Sequence, residues 1–196
     1  AGHGIGYTSL RIRGVDQSRI NVTINGVPLN DAESQGVYWV DLPDLGSSMT
    51  GLQIQRGVGT STNGPAAFGA TVSVNTLGTL ANPGIRAVLG GGSFGTLRRT
   101  LAWNTGMLQD GWSFEGRASR ITSDGWVDRA TSNLSSLYGR VAKRWNSGRL
   151  SFTSMLGHER TFQAWYGVPK IAVDSESTDE DILNWAEGSY EYNYGA

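Results

Sequence analysis

Hydrophobic and polar residues alternate over long stretches in the second half of the chain. Between residues 85 and 157 one set of alternate positions is apolar and the other is polar. A period of two predicts β-strands, and runs of about 9–11 residues match a tilted membrane-spanning strand better than the usual 5–6 residues of soluble sheets. The pattern predicts antiparallel strands at 85–89, 97–104, 112–120, 136–145 and 150–157.

The connections between these strands alternate in length. Those at 109–111 and 146–148 are tight turns, whereas 123–133 and the region after Thr161 are longer. Short turns at one end of the strands and long loops at the other are typical of outer-membrane barrels. The tryptophans at the short-turn end share the apolar face, where an aromatic girdle is expected. They are Trp103, Trp112 and Trp145.

A soluble β-sandwich is the alternative interpretation of this half. Soluble antiparallel sheets also alternate, and the tryptophans would then lie in their core. No apolar run approaches the roughly 20 residues that a membrane-spanning helix needs. The pattern alone therefore leaves both all-β architectures open.

Residues 1–80 follow a different pattern of short strands and tight turns. Asn25-Gly26 predicts a hairpin turn that leads into Val27. One or two helical turns are expected in 41–49, and 57–65 forms a glycine-rich loop. Short strands are expected at 9–13, 19–24, 52–56 and 70–76. These elements predict a small α+β sheet domain.

The amino-acid composition excludes most kinds of catalytic and metal-binding site. The 196 residues contain 28 Gly and 7 Trp, without the three-residue period of collagen and with too many aromatics for a disordered chain. There is no Cys and there are only two His, so thiol chemistry, disulfides and most metal sites are excluded. The glycine-rich loop lacks the Gly-Lys-Ser/Thr of a phosphate loop. We expect no catalytic residue, no metal, no cofactor and no enzymatic activity.

Charge divides the chain into three blocks. Residues 1–80 carry four Arg against five acids, 81–159 carry ten basic residues against five acids, and 160–196 carry two against seven. The net charges are −1, +5 and −5 within a near-neutral total of −1. Such blocks indicate three environments rather than one mixed surface. The balance gives no reason to expect nucleic acid as a partner.

Four motifs resemble, in sequence order, the plug domain of TonB-dependent outer-membrane receptors. They are SLRIRG at 9–14, VTINGVPL at 22–29, LQIQRG at 52–57 and NGPAAFGATVSVNT at 63–76. Each motif is weak alone, but the order and spacing of all four are specific. The stretch 58–64 resembles receptors from Bacteroidetes-like bacteria more than the siderophore receptors of enteric bacteria.

The resemblance implies a mainly β fold, with an α+β plug fragment followed by an antiparallel β-meander that is part of a large transmembrane β-barrel. Residues 1–80 would be the C-terminal half of the plug, and 81–196 about the first five barrel strands with their outer loops. A complete barrel of this kind has about 22 strands. The sequence is therefore expected to be an internal fragment, whose exposed strand edges favour self-association.

The implied function is active transport across the outer membrane of a Gram-negative cell. Such a receptor binds a small nutrient ligand, here of unknown class, and imports it with energy transmitted by the TonB complex. TonB would act through a segment absent from this sequence, and outer-membrane lipid would surround the barrel. A soluble β-rich carbohydrate-binding module is the alternative function.

The resemblance also suggests which residues contact a ligand. The segment after the Gly-Val-Pro hairpin would lie toward the outer apex of the plug. There Tyr38 and Trp39 would stack on a ring, and Asp31, Glu33 and Gln35 would hydrogen-bond it. Packing of the two aromatic residues beneath the loop is the alternative.

Four arginines complete the candidates. Arg13 and Arg56 end plug strands and, by the resemblance, would face carboxylates of the barrel wall; solvated strand ends are the alternative. Arg99 and Arg120 interrupt the apolar face near the long-loop end, where lipopolysaccharide phosphates would suit a guanidinium group. Snorkelling to water or pairing with Asp124 or Asp128 is the alternative.

Overall fold

The computed structural model describes residues 5, 8–57, 68–76, 82–126 and 130–162. They form two β-sheets, one in the first part of the chain and one in the second. Within these ranges no helix has the length and apolar character needed to cross a membrane. The helical residues are short 3₁₀ turns, at Gln17–Arg19, Trp39–Asp41 and Leu45–Ser48.

The first sheet has four strands in the order β2-β1-β4-β3. The strands are β1 (Ile20–Ile24), β2 (Val27–Pro28), β3 (Gly51–Arg56) and β4 (Ala70–Asn75). The central pair, β1 and β4, is parallel, and both outer pairs are antiparallel. Alternate apolar residues of the central pair form the core, because both strands are covered on at least one face. The buried apolar residues are Ile20, Val22, Ile24, Val37, Ala70, Val72 and Val74.

The Asn25-Gly26 hairpin is confirmed. Both residues have positive φ, 53° and 84°, as a type I′ turn requires. The Asn25 side chain also joins the turn to the end of β4, since its Nδ2 donates to Thr76 Oγ1 at 2.8 Å and its Oδ1 accepts from Thr76 N at 2.8 Å. The turn therefore fixes the register of the parallel pair as well as that of the hairpin.

Asn30 organises the chain that follows the hairpin. Its Oδ1 accepts from Val22 N at 2.8 Å, and its Nδ2 donates to Ile20 O at 2.9 Å and to Gln35 O at 2.7 Å. One amide thus satisfies three backbone groups that would otherwise lack partners. The segment 31–36 is held against the edge of β1 as a result.

The strand predicted at 9–13 is wrong. The structure has only an isolated bridge between Ile12 and Val15, because Arg13 and Gly14 adopt φ of 52° and 79° and reverse the chain within two residues. The helical turns predicted in 41–49 appear as two separate 3₁₀ turns, the first beginning at Trp39. Pro43 lies between them, where it interrupts continuous helix.

The second sheet is an antiparallel meander in the order β5-β6-β7-β8-β9. The predicted strands are all present, and all except β6 are longer than predicted. The strands are β5 (Gly84–Gly91), β6 (Leu97–Asn104), β7 (Trp112–Ser123), β8 (Ser132–Trp145) and β9 (Gly148–Thr161). β8 begins four residues before its predicted start, in a serine-rich stretch whose side chains give little hydrophobic signal.

The two faces of this sheet have opposite chemistry. Leu101, Leu137 and Phe152 are exposed on the outward face, away from the first sheet. The inward face carries Ser113, Arg117 and other polar side chains, and it is largely buried against the first sheet. The alternation predicted from the sequence is therefore present in three dimensions.

Several sequence-based expectations concern residues outside the described ranges. They are the glycine-rich loop beyond Gly57, the stretch 58–64 used for the Bacteroidetes-like resemblance, Asp128, and the region after Phe162. These expectations stay predictions.

Candidate functional site

Asp44 lies where the two sheets meet. It stands between the 3₁₀ turns of the first sheet's connecting segment, directly after Pro43, and adopts a left-handed conformation with φ 54° and ψ 31°. This conformation is uncommon for a non-glycine residue, although Asp tolerates it better than most. It turns the carboxylate toward β6 and β7, where its side chain is only 8% exposed.

Two arginines of the second sheet share this carboxylate. Asp44 Oδ1 forms an ion pair with Arg98 Nη2 at 3.0 Å, and Oδ2 accepts a hydrogen bond from Arg117 Nη1 at 3.1 Å. Oδ2 also accepts from Thr100 Oγ1 at 3.3 Å and Ser119 Oγ at 2.5 Å. Charge-assisted hydrogen bonds of this kind are about twice as strong as neutral ones.

The guanidinium of Arg117 is buried and makes three hydrogen bonds. Its side chain is 6% exposed. Nε donates to Ser48 Oγ at 2.8 Å, and Nη1 donates to Ser136 Oγ at 2.9 Å in addition to Asp44. Arg98, which is less buried, also donates to Ser47 Oγ. The cluster of Asp44, Arg98 and Arg117 with their serine partners is called the interface cluster below.

Other contacts extend this junction on both sides. Tyr138 Oη donates to Thr76 O at 3.3 Å, and Met155 of β9 packs against the core of the first sheet. Gly157 of β9 lies directly beneath Pro43, and a Cβ there would come within 2.7 Å of Pro43 Cδ. A glycine is required for so close an approach. Hydrogen bonds and van der Waals packing together therefore seat the first sheet on the second.

A second ion pair lies deeper on the inward face. Arg140 Nη1 donates to Glu115 Oε1 at 3.2 Å, and the Arg140 side chain is 1% exposed. Its Nε and Nη2 have no hydrogen-bond partner within the described ranges. A cavity of about 350 Å³ beside this pair separates β5–β8 from the first sheet, and it is lined by polar groups of both, including Arg86, Asn104 and Thr50.

The proposed ligand residues divide into two groups. Asp31 and Gln35 shape the loop: Asp31 Oδ2 accepts from Ser34 N at 2.7 Å, and Gln35 has a positive φ of 56°. The hydrogen bonds from Ser34, first from its backbone and then from its side chain, lower the pKa of Asp31. Glu33 and Tyr38 are exposed, Tyr38 by 56%.

Trp39 belongs to the core instead. It is partly buried and packs against the core of the first sheet. This observation favours the packing alternative for Trp39, and it leaves Tyr38 as the exposed aromatic ring of the segment.

Of the two plug arginines, Arg56 ends β3 as expected, whereas Arg13 lies in the chain reversal at 12–15 and ends no strand. Arg13 and Arg56 are exposed, and neither makes an ion pair with a described residue. The tryptophans are exposed at the short-turn ends of their strands, where Trp103 is the penultimate residue of β6, Trp112 the first of β7 and Trp145 the last of β8.

Sequence reasoning missed the interface cluster. Asp44 is 54 to 75 positions from its partners on the second sheet, and no local pattern joins them. One signal was available, since Arg98 and Arg117 fall on the polar face of adjacent strands that carry no nearby carboxylate except Glu115. Two inward arginines beside a single carboxylate imply a further anion from another part of the chain.

Comparisons with known proteins agree on one architecture. Residues 1–71 match the family model described as the TonB-dependent Receptor Plug Domain. No curated protein sequence matches the chain significantly. Solved structures of several transport proteins match about four fifths of the chain.

Three of these structures illustrate the similarity. The pyoverdine outer membrane receptor FpvA from Pseudomonas aeruginosa PAO1 is 16% identical, with a TM-score of 0.58 over 77% of this chain and 23% of its own. The copper transporter OprC is 17% identical, with a TM-score of 0.65 over 80% and 27%. The FrpB iron transporter from Neisseria meningitidis is 15% identical, with a TM-score of 0.64 over 83% and 27%.

These likenesses establish the fold. The first sheet is a plug-type sheet, and the second has the form of consecutive strands of a TonB-dependent receptor barrel. The chain spans about a quarter of the length of the three structures. The mainly β fold class predicted from the sequence is confirmed.

The interface cluster predicts a large effect for Asp44→Asn. The amide removes the negative charge and leaves Arg117 buried without a counter-ion, which costs roughly 3–5 kcal/mol when a buried pair loses one partner. We expect the first sheet to become sensitive to protease at clearly lower urea concentration in the intact protein. Glu33→Gln, which removes an exposed charge, is the control and should change stability by less than about 0.5 kcal/mol. Equal urea profiles for both variants would contradict a structural role for Asp44.

Proposed function

We propose that the chain, which carries a TonB-dependent receptor plug domain in its first 71 residues, is part of an outer-membrane receptor of a Gram-negative cell. The receptor binds a small nutrient ligand and imports it with energy transmitted by TonB. The observation that carries the proposal is the plug-type sheet seated, through the interface cluster, on the polar face of a sheet whose other face is apolar.

The chemistry of this contact suits a plug that has to move. An apolar interface would resist separation by about 25 cal/mol for each Å² exposed to water. A hydrogen-bonded interface exchanges protein partners for water, so each neutral bond contributes only about 0.5–1.5 kcal/mol net and each bond to a charged group about 1.5–3 kcal/mol. Serine hydroxyls surround Asp44 and Arg117, and they can rebind water or one another as the sheets shift. We infer transport rather than catalysis as the role of the protein.

The division of the chain follows from this assignment. Residues 1–80 would be the later half of the plug, and 81–196 about the first five strands of the barrel with their outer loops. TonB would contact a segment outside this sequence. Arg13 and Arg56 would meet carboxylates of barrel strands that also lie outside it, and their exposure here is compatible with such partners.

Ligand contact is proposed for the loop that follows the β1–β2 hairpin. Tyr38 supplies an exposed ring and Glu33 an exposed carboxylate, while Asp31 and Gln35 hold the loop in shape. Trp39 would support the loop from below. Siderophore, vitamin, glycan and peptide all remain compatible with one ring beside polar groups, so the ligand class stays open.

Cell fractionation tests the proposed function directly. The protein expressed from its native gene should be recovered in the outer-membrane fraction and should migrate differently on a gel before and after heating. Recovery in a soluble or secreted fraction, without this heat-modifiable band, would overturn the receptor assignment and support a soluble carbohydrate-binding module.

Tyr38→Ala should weaken capture of the imported ligand. Loss of one stacked ring removes roughly 0.5–1.5 kcal/mol, which corresponds to about a 2- to 10-fold weaker affinity. Uptake assays with siderophore, vitamin, glycan and peptide panels would first identify the ligand and then compare the variant with wild type. Tyr38→Phe keeps the ring and is the control. Unchanged affinity in Tyr38→Ala would remove Tyr38 from the ligand site.

Substitutions on the two faces of the second sheet should differ in their effect. Leu101 is 51% exposed on the outward face, so Leu101→Arg places a charge against lipid and should destabilise the receptor by roughly 2–4 kcal/mol near the bilayer midplane. Phe114→Arg should behave alike. Ser151→Arg, at an exposed position of the inward face opposite Ala142, is the control and should cost little. Urea titration of the receptor folded into lipid vesicles measures the difference, and equal losses on both faces would indicate a soluble core.

A further inference from the structure

The outward face carries a group of basic side chains near the long-loop end of the strands. Arg99 of β6 lies directly opposite Arg120 of β7 in the register. On β9, His158 continues the same row through Ser135, and Arg160 lies one step further along the strand. All four basic side chains are exposed. This group is called the basic row.

The central pair of the row lacks a counter-ion. Like charges directly opposite one another on adjacent strands destabilise a sheet. Arg120 Nε donates to Asn133 Oδ1 at 3.2 Å, but no carboxylate pairs with Arg99 or Arg120 among the described residues. The pairing with Asp124 considered from the sequence is absent, so the two guanidinium groups present their free N–H donors to the surroundings.

An apolar groove adjoins the basic row. Gly116 of β7 and Gly139 of β8 lie directly opposite each other, so the sheet surface is lowered there. The groove has a volume of about 310 Å³, and its outward walls are Leu101, Leu137 and Leu156. The indole of Trp103 lies over Gly116, whereas nothing occupies the space above Gly139 within 4 Å of where a Cβ would be.

The dimensions match those of a lipid. Arg120 is four residues from Gly116, about 14 Å along β7 at roughly 3.4 Å per residue. It is eight residues from Trp112, about 27 Å along the strand and so about 20 Å along the membrane normal for a strand tilted by roughly 40°. An outer-membrane barrel has an apolar band about 25 Å tall. The basic row therefore lies near the edge of the band that is opposite the tryptophans.

We propose that this face binds a phosphorylated outer-leaflet lipid, the lipid A part of lipopolysaccharide. Its phosphate lies between Arg99 and Arg120, where two guanidinium forks donate to one anion and relieve their mutual repulsion. An acyl chain fills the groove above Gly139. Arg160 extends the cationic surface on the β9 side, and His158 adds an imidazole beside it. The inference rests on the proposed location in the outer membrane.

Titration of the intact receptor with lipid A tests this site. The receptor is purified in mild detergent, stripped of lipid, and examined by native mass spectrometry with diphosphoryl lipid A and with its dephosphorylated form. Arg99→Gln combined with Arg120→Gln should weaken binding of the phosphorylated lipid by about tenfold, the order expected for lost charge-assisted hydrogen bonds. The difference between the two lipid forms should disappear in this variant.

The sheet provides a matched control for the arginines. Arg144 and Arg149 are also directly opposite each other and exposed, but they lie at the short-turn end and on the same face as Ala142, opposite to that of the basic row. Arg144→Gln combined with Arg149→Gln removes the same charge and should leave lipid A binding unchanged.

The groove is tested separately by Gly139→Leu. A Cβ at this position meets nothing within 4 Å, so a leucine side chain has room to enter the groove and should weaken binding of both lipid forms several-fold. Gly91→Leu adds the same side chain at another open position of the face and should have no effect.

Four results would overturn the proposal. They are unchanged binding in the Arg99/Arg120 variant, equal binding of phosphorylated and dephosphorylated lipid A by wild type, equal loss in the Arg144/Arg149 control, and complete displacement by excess inorganic phosphate. The last would indicate a simple anion site. Because the titration is done in detergent, its outcome is independent of the fractionation experiment, which alone tests the location of the protein.

Discussion

The arrangement of the two sheets depends on one buried carboxylate. Asp44 pairs with Arg98 and Arg117 and accepts hydrogen bonds from hydroxyls of the second sheet, and it does so from a left-handed backbone conformation between two short turns. Without it the inward face of β6 and β7 would carry two cations with no anion facing them. A desolvated cation without a partner is far more expensive than an unpaired hydroxyl. The position of the plug-type sheet on the barrel-type sheet is therefore specified by charge more than by shape.

This kind of junction differs from the interior of the first sheet. There, Ile20, Val22 and Val72 form an apolar core that resists any change of register. Between the sheets, by contrast, serine hydroxyls and arginines dominate, and a cavity of about 350 Å³ remains beside the Arg140–Glu115 pair. A core packed without voids moves as one rigid body under force. Polar groups, by contrast, can exchange a protein partner for water and so rearrange. The plug-type sheet is thus built to stay folded while its contacts with the second sheet change.

The parts that could be predicted from sequence are those that depend on neighbouring residues. Asn25-Gly26 defines its turn because both residues tolerate positive φ, and the alternation of β7 reports two different environments directly. The strand predicted at 9–13 is wrong for a reason that is also local. Arg13 reverses the chain there with a positive φ that a non-glycine residue rarely adopts. The start of β8 was missed because Ser132 and Ser135 pair as strand residues without a hydrophobic signal. The interface cluster was missed because Asp44 and its partners are brought together only by the docking of one sheet on the other.

The arginines of the second sheet have two different roles. The role of each arginine depends on which face of the strand its position points to. Arg98 and Arg99 are consecutive, so they point to opposite faces of β6. Arg98 reaches Asp44, while Arg99 faces outward beside Arg120. Arg117 and Arg120 repeat this division on β7, three residues apart. A shift of one residue in the register of either strand would exchange the two roles, placing an outward arginine against the plug and an inward one against the surroundings. The pairing with Asp44 therefore does more than join the sheets, because it opposes such a shift and so keeps the outward arginines on the face where an external anion can reach them.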